Sequence, residues 1–345
     1  MNIVLTNVNQ YIQMHEAFRL DTLNALARKY GFKVWAKCLD NFDYPEYSNV
    51  IICPNTEHEE QKRHLNDFVK QEKPKKIVNF LEYLVPSHWV EYDCEMIYFV
   101  RGCVEQTLRS MTPKLDKEKP DHAEIINRFT EWSKTENKMI NDAHRVITDS
   151  PNSQTVIKNI YNIDADVCLE YVNPEKYLNM PTSNTVVKSV YNVGRLDFQK
   201  GMHLISKPQN WEVHVIGKNE LNDNPYYIGD IIKHPAQAFE TYKDIIKDFN
   251  FGLFPSIWES NGYTVQECLA MGKIPVVQKG SGGNERLLKS GINSVIIDFV
   301  CDNWEMKLEH LVSENHVFRM QEAAKDTLTQ KMYQESLEKF IEVIC

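Results

Sequence analysis

The sequence has no long apolar run and no cysteine cluster, and each absence narrows its class. No stretch of 18 or more apolar residues occurs, so no membrane-spanning helix is predicted. The first residues lack the charged start and cleavage site of a signal peptide, and we expect a cytoplasmic protein, in the host cytoplasm if it is viral. The eight cysteines are scattered without a Cys-x-x-Cys pair, which predicts buried free thiols rather than a zinc site or a disulfide framework.

A global excess of positive charge is also absent, because the formal net charge is −9. This balance gives no overall attraction to nucleic acid. The one basic stretch is residues 61–76, and it is typical of the solvated face of a helix; binding of an anionic acceptor or a membrane surface is the alternative. Its basic residues are Lys62, Arg63, Lys70, Lys73, Lys75 and Lys76.

What is present is a regular alternation of short apolar strands and helices. The 345 residues suffice for two domains, and the composition, 42% hydrophobic and 25% charged, is that of a globular protein. In the first half the alternation predicts a doubly wound parallel sheet. The predicted strands are residues 2–6, 33–36, 49–53, 76–80, 96–100, 145–149 and 168–172, and the predicted helices are 16–30, 57–71, 120–142 and 151–161.

The alternation stops at the polar stretch 178–185, the best predicted linker, and then resumes. We predict an α/β protein with two Rossmann-like domains facing across a cleft, residues 1–180 and 186–330. A C-terminal helix, 331–345, returns to the first domain, and the oligomeric state is not indicated. The second domain has predicted strands at 186–193, 211–216, 251–256, 273–277 and 294–298, and predicted helices at 201–207, 235–248, 283–289 and through 303–344.

Two glutamates, Glu259 and Glu267, lie eight positions apart where a strand is predicted to meet a helix. Ser260 and Asn261 are good helix caps and Gly262 permits a tight turn, so Glu259 lies in the loop and Glu267 in the helix. Both carboxylates then flank the helix N-terminus, which favours an anion. A phosphorylated sugar or a nucleotide fits such a site, whereas an ordinary turn with two solvated glutamates is the alternative.

A second motif, Gly194-Arg-Leu-Asp-Phe-Gln-Lys-Gly201, also follows a predicted strand. Arg195 offers a planar fork and Lys200 a point charge, a common pair for holding a diphosphate. Surface salt bridging is the alternative. Because ligands of such sheets bind beyond the carboxyl ends of the strands, both motifs are predicted on the same rim of the second domain.

Taken together, these motifs resemble the donor-binding domain of a retaining glycosyltransferase with the GT-B fold, similar to glycosyltransferase family 4. The resemblance covers roughly residues 146–298 in order and spacing, while the first 145 residues match the family only in layout. It rests on residues 193–201, on Pro255-Ser256 through Glu259, Gly262 and Glu267, on Ala270-Met-Gly-Lys-Ile-Pro-Val-Val277, and on Gly282-Gly-Asn-Glu285.

The resemblance implies a role for each matched residue. Arg195 and Lys200 would neutralise the donor's diphosphate and stabilise it as the leaving group. Glu259 would hold sugar hydroxyls, and Glu267 would accept hydrogen bonds from the ribose diol. The chemistry would be front-face transfer with retention, without a metal and with no cofactor beyond a nucleoside diphosphate sugar linked to UDP, GDP or ADP. The predicted donor-binding residues are Gly194, Arg195, Lys200, Glu259, Asn261, Gly262, Tyr263, Thr264 and Glu267.

The first domain departs from the family. The loop after the first strand has no glycine, and the segment where many members place a histidine contains Arg101, which we predict takes that place. The acceptor is a hydroxyl, for which a saccharide is the leading prediction. The alternative acceptor is a modified, hydroxymethylated DNA base, as used by some phage enzymes of this architecture. The alternative functions are a sugar-nucleotide epimerase and a non-catalytic nucleotide-sugar-binding protein.

Overall fold

The computed structural model describes residues 3–9, 20–38, 49–53, 56–80, 90–112, 118–181, 183, 185–194, 198–217, 231–235, 239–313 and 316–345. The chain forms two compact units. One is Met1–Glu170 together with Ser336–Cys345, and the other is Tyr171–Glu335. Within the described residues, no helix has the length and apolarity needed to cross a membrane.

The first unit is built on a parallel sheet. Seven strands are found in the described residues, in the order β3-β2-β1-β4-β5-β6-β7, so the strand order reverses between β1 and β4. This confirms the predicted doubly wound sheet. The strands are β1 (Ile3–Asn9), β2 (Lys33–Cys38), β3 (Val50–Cys53), β4 (Lys76–Asn79), β5 (Glu95–Val100), β6 (Arg145–Thr148) and β7 (Asp166–Val167).

The strand predicted at 168–172 is wrong, because β7 ends at Val167. The amide of Cys168 still donates to the Thr148 carbonyl at 2.8 Å. The amide of Val172 instead donates to the side chain of Gln266, so the chain leaves the sheet. Apolar content alone suggested a strand here, but the partner of the Val172 amide is a side chain.

The helices of the first unit follow the predicted order, with one addition. The side chain of Ser150 accepts from the Ser153 amide and caps a helix that has Pro151 at its first position. The helix not predicted is α3, whose N-cap residue, Cys103, makes no side-chain hydrogen bond to the first turn of the helix. The helices are α1 (Leu20–Tyr30), α2 (His58–Glu72), α3 (Val104–Met111), α4 (Pro120–Asp142) and α5 (Pro151–Tyr161).

The second unit contains a second parallel sheet. In the described residues it has six strands in the order β10-β9-β8-β11-β12-β13, and the order reverses between β8 and β11. The edge strand β10 was not predicted, because its central residues are exposed and give no apolar run. The strands are β8 (Ser189–Val193), β9 (Glu212–Ile216), β10 (Ile231–His234), β11 (Phe251–Phe254), β12 (Ile274–Gln278) and β13 (Val295–Ile297).

The helix predicted at 283–289 is wrong, since only a short 3₁₀ turn forms at Gly283–Glu285. The side chain of Asn293 accepts from the Lys289 amide and donates to the Leu287 carbonyl, taking backbone groups that a helix would use. The predicted helical tail is divided into three helices. The helices that begin in this unit are α6 (Phe239–Ile246), α7 (Tyr263–Ala270), α8 (Trp304–Ser313), α9 (Val317–Lys325) and α10 (Gln330–Ile344).

The last ten residues complete the first unit. Phe340 is fully buried, and its ring centroid lies 5.5 Å from that of Phe80 and 6.0 Å from that of Phe99. Lys76 donates to the carbonyl of Ile344 at 3.3 Å, and Arg145 donates to that of Val343. The end of α10 is therefore held by aromatic packing and by two basic side chains at the starts of β4 and β6.

Candidate functional site: the rim between β8 and β11

The candidate site lies where the strand order of the second sheet reverses. In open parallel sheets, ligands bind beyond the carboxyl ends of the strands at such a reversal. The loop after β8 begins at Gly194, and the loop after β11 begins at Pro255. These are the two motifs that the sequence singles out, so the sheet brings them to one rim.

The two loops contact each other directly. Lys200 Nζ lies 2.5 Å from Glu259 Oε1, and each side chain is 17% exposed. Beside this ion pair, the Ile257 amide donates to the Gln199 carbonyl at 2.9 Å. Gly201, with φ of 69°, packs so closely on the Pro255 carbonyl that a side chain there would overlap it. The close approach requires glycine at this position.

Glu259 is fixed on its other side by the segment after β12. Its amide donates to the Ser281 carbonyl at 2.9 Å, and its carbonyl accepts from the Gly283 amide at 2.8 Å. The Gly-Gly pair at 282–283 therefore forms part of the rim rather than the start of a helix. The Glu259 carboxylate contacts Lys200 at the place where the loops after β8, β11 and β12 meet.

Helix α7 starts at this rim. Gly262 precedes it with φ of 65°, and the side chain of Asn284 packs where a Cβ at 262 would lie. As a glycine, the N-cap residue has no side chain to accept hydrogen bonds from the first turn. Tyr263 and Thr264 are half-buried in that turn. The helix begins at Tyr263, as predicted, but its N-cap is Gly262 rather than the predicted Ser260 or Asn261.

Glu267 lies one turn into α7, as predicted, and is 1% exposed. Asn261 is equally buried, and its side-chain oxygen accepts from Arg286 Nη2 at 2.8 Å. Gly194 is described at the end of β8, where its amide donates to the Ile216 carbonyl at 3.0 Å. Arg195 lies outside the described residues, so its predicted pairing with Lys200 remains a prediction.

Arg101, predicted for the first domain, follows β5 at the carboxyl end of the first sheet. Its Nε lies 3.4 Å from the Glu170 carboxylate, and its guanidinium lies 5.4 Å from the centroid of the Phe80 ring. Glu170 is almost fully buried. Arg101 is thus held by an ion pair and an aromatic face, and its catalytic role remains a prediction.

A buried carboxylate near Arg101 was not predicted. Glu136 of α4 is fully buried and accepts from the amides of Val104 and Glu105, at 3.0 and 3.3 Å. The Tyr161 hydroxyl donates to it at 2.6 Å. Burial raises the pKa of the Glu136 carboxyl, and these hydrogen bonds oppose the rise. Glu136 thereby occupies the N-terminus of α3.

Comparison with known proteins finds similarity in fold but not in sequence. No protein-family model matches the chain, and no curated protein matches it. Solved structures do match over nearly the whole length. Sucrose-phosphate synthase from Thermosynechococcus elongatus matches with a TM-score of 0.72 and 12% identity, over 98% of both chains. HepE from Anabaena, in complex with UDP-glucose, matches with a TM-score of 0.63 and 13% identity, over 98% of this chain and 99% of that one.

The chain has the GT-B fold. A third match is WaaG, a glycosyltransferase involved in lipopolysaccharide biosynthesis, with a TM-score of 0.64 and 12% identity over 99% of each chain. This confirms the predicted fold class. At such identities the likeness concerns the GT-B fold alone, so the resemblance to family 4 remains a prediction.

Proposed function

We propose that this protein is a retaining glycosyltransferase, similar to family 4, that moves a sugar from a nucleoside diphosphate sugar to a saccharide hydroxyl. The observation that carries the proposal is the contact of Lys200 with Glu259 at the reversal of the second sheet. A cation for a diphosphate and a carboxylate for sugar hydroxyls then lie side by side. The GT-B fold supports the same interpretation.

Each residue of the rim binds a different part of the donor. Lys200, with Arg195, stabilises the diphosphate as negative charge develops on the leaving group. Glu259 holds sugar hydroxyls and Glu267 the ribose diol, because a carboxylate accepts from two hydroxyls at once. The phosphate lies against the first turn of α7, where the amides of Gly262, Tyr263 and Thr264 and the helix dipole favour an anion.

The nucleotide is proposed to be UDP, with GDP and ADP as alternatives, because HepE shares the fold and its structure contains UDP-glucose. The positive charge of Lys200 and Arg195 serves in place of a metal ion. Turnover should therefore persist, within about twofold, after dialysis against EDTA. Loss of activity on chelation, restored by Mg²⁺ or Mn²⁺, would contradict metal independence while leaving the donor site standing.

A saccharide is proposed as the acceptor over DNA, because the basic stretch 61–76 carries nearby carboxylates of its own. Lys62 Nζ and Lys70 Nζ lie 3.7 and 4.0 Å from the Glu91 carboxylate. Lys76 Nζ lies 3.5 Å from that of Glu95. These partly exposed pairs favour the solvated-face interpretation over a strip of unopposed positive charge.

A panel of UDP-, GDP- and ADP-sugars without acceptor tests the proposal. Slow hydrolysis that releases the sugar with its anomeric configuration retained, as seen by NMR, supports a retaining transferase. Interconversion of the sugar indicates an epimerase, and binding without turnover indicates a binding protein. Adding an oligosaccharide or hydroxymethylated DNA in parallel then shows which acceptor gains mass.

A further inference from the structure

Arg286 joins two distant segments of the second unit. Its Nη1 donates to the Tyr171 hydroxyl at 2.9 Å, and its Nη2 donates to Asn261 Oδ1 at 2.8 Å. The guanidinium carbon also lies 4.7 Å from the centroid of the Tyr171 ring. The planar fork therefore holds a ring, a hydroxyl and an amide oxygen at once, a geometry that lysine cannot reproduce.

Gln266 makes a second bridge between the same two segments. Its Oε1 accepts from the Val172 amide at 3.1 Å. Its Nε2 donates to the carbonyl and to the side-chain oxygen of Asn261, at 3.1 and 3.2 Å. Gln266 and Asn261 are both buried, where hydrogen bonds are costly to lose. Asn261 is thus held by two side chains that both also hold the segment 171–172.

The position of each segment gives this network its meaning. Asn261 directly precedes Gly262 at the start of α7, two residues after Glu259. Tyr171 is the first residue of the second unit, and Glu170, the last residue before it, accepts from Arg101 in the first unit. Three consecutive residues are therefore held by side chains from elsewhere in the sequence: Glu170 by Arg101, Tyr171 by Arg286, and Val172 by Gln266.

We propose that Arg286 and Gln266 are positioning residues that fix the Asn261–Gly262 turn to the segment 171–172 and so pre-organise it for the donor. The inference rests on the proposed function in that the ligand of this turn is a nucleoside diphosphate sugar. A turn already held in its bound conformation loses less conformational freedom on binding, which strengthens binding. Neither residue was predicted from the sequence as part of the site.

Two substitutions separate positioning from direct attraction of the diphosphate. Tyr171→Phe keeps the ring and removes one hydrogen-bond acceptor, at a residue outside the turn. Arg286→Lys keeps the charge and removes the fork. Glu309→Gln is the matched control, because Glu309 pairs with Lys188 at 2.6 Å and accepts from the Trp211 indole in the same unit, outside both segments.

Hydrogen exchange and calorimetry with UDP, GDP and ADP provide the readouts. We expect Tyr171→Phe to speed amide exchange in peptides covering 259–264 and to weaken binding of the preferred nucleotide by about threefold, the loss of one hydrogen bond. Arg286→Lys should weaken binding by about tenfold on the same scale. In both variants the donor KM rises, kcat stays within about twofold, and exchange in the rest of the second sheet is unchanged.

Three results would contradict the proposal that this network positions the turn. In one, both variants exchange and bind as the wild type does. In another, Arg286→Lys binds normally, because charge alone then suffices. In the third, exchange rises throughout the second unit, as in a general loss of stability. If the wild type binds none of the three nucleotides, the proposed function fails, and exchange at 259–264 in the variants still decides whether the network holds the turn.

Discussion

Helices α3 and α7 are a natural pair for comparison. Each has eight residues and follows a strand at the carboxyl edge of its sheet. The first turn of α3 donates to the protein's own buried carboxylate, Glu136. The first turn of α7 follows a glycine and lies beside the Lys200–Glu259 pair. The fold thus satisfies amides at the N-terminus of α3 internally, whereas α7 begins beside a charged pair, which supports the proposal of a phosphorylated ligand there.

The same contrast applies to the charged groups nearby. In the first unit, burial and hydrogen bonds commit Glu136 to structure, and Arg101 is held by Glu170. In the second unit, Lys200 and Glu259 keep partial exposure and pair with each other. An ion pair between a cation and a carboxylate can be exchanged for separate partners on a ligand. The comparison therefore supports the proposal that the donor binds at the second sheet.

The largest effect is expected from removing the donor-binding groups. Lys200→Ala and Glu267→Ala should each lower turnover of the nucleotide sugar by about 100-fold or more, because charge stabilisation of the leaving group and the grip on the ribose are lost. Steady-state hydrolysis of the donor measures this. Full activity in either variant would contradict the site; Lys188→Ala, at a surface ion pair of the same unit, is the control.

The internal cap of α3 can be broken in the same way. Glu136→Ala leaves two amides and the Tyr161 hydroxyl without their buried acceptor, and should lower the free energy of unfolding by about 3 kcal/mol. Glu136→Gln retains an acceptor oxygen and should cost about 1 kcal/mol. Urea denaturation measures both. Glu131→Ala, at an exposed pair on the same helix, should change stability little. Equal stability of Glu136→Ala and the wild type would show that the cap is dispensable.

The second unit has its own buried charge, at a helix C-terminus. Lys273 is almost fully buried and donates to the carbonyls of Lys247 and Phe249, just past α6, at 3.1 and 2.6 Å. Burial lowers the pKa of its amine from 10.5 to about 8. Between these values the unfolded chain holds more protons than the folded chain, so stability rises with pH through this window.

Relative to Lys273→Met, the wild type should therefore gain about 2 kcal/mol of unfolding free energy between pH 7.5 and 9.5. Denaturation of both proteins at the two pH values measures the difference. A difference that does not change with pH would mean that the lysine keeps its ordinary pKa. A difference that falls with pH would mean that folding raises the pKa of Lys273 instead of lowering it.

The sequence predicted the order of strand, loop and helix at the rim of α7 because its signals are local. The spacing of Gly194, Lys200 and Gly201, and of Glu259, Gly262 and Glu267, reflects close approaches within two short loops. The pattern of strands and helices was likewise predicted, since it follows from apolar periodicity. The departures at 168–172, 231–234 and 283–289 occur where side chains replace backbone partners or where the strand is exposed. The sequence also failed to predict α3, and its predicted helix at 201–207 forms only a 3₁₀ turn at Met202–Leu204.

Glu136 and Arg286 escaped prediction for the opposite reason. Glu136 meets α3 across 32 residues of sequence, and Arg286 meets Tyr171 across 115. No spacing rule links a carboxylate in the middle of a polar helix to a turn on another element, so only the folded chain shows that these groups meet. The first-domain chemistry is hard to predict for the same reason: its contacts are long-range, and the family motifs are weakest there.

The central claim is that the Lys200–Glu259 pair opens to receive the donor, and nucleotide binding tests it directly. Calorimetry should compare the wild type, Lys200→Met and Glu259→Gln with whichever of UDP, GDP and ADP binds tightest. Lys200→Met should weaken binding by about 30-fold, the loss of a charge-assisted contact. Glu259→Gln removes the ion pair with Lys200 and should bind the sugar-free nucleotide as tightly as the wild type or more tightly. Equal weakening in both variants, or no change in either, would contradict the account.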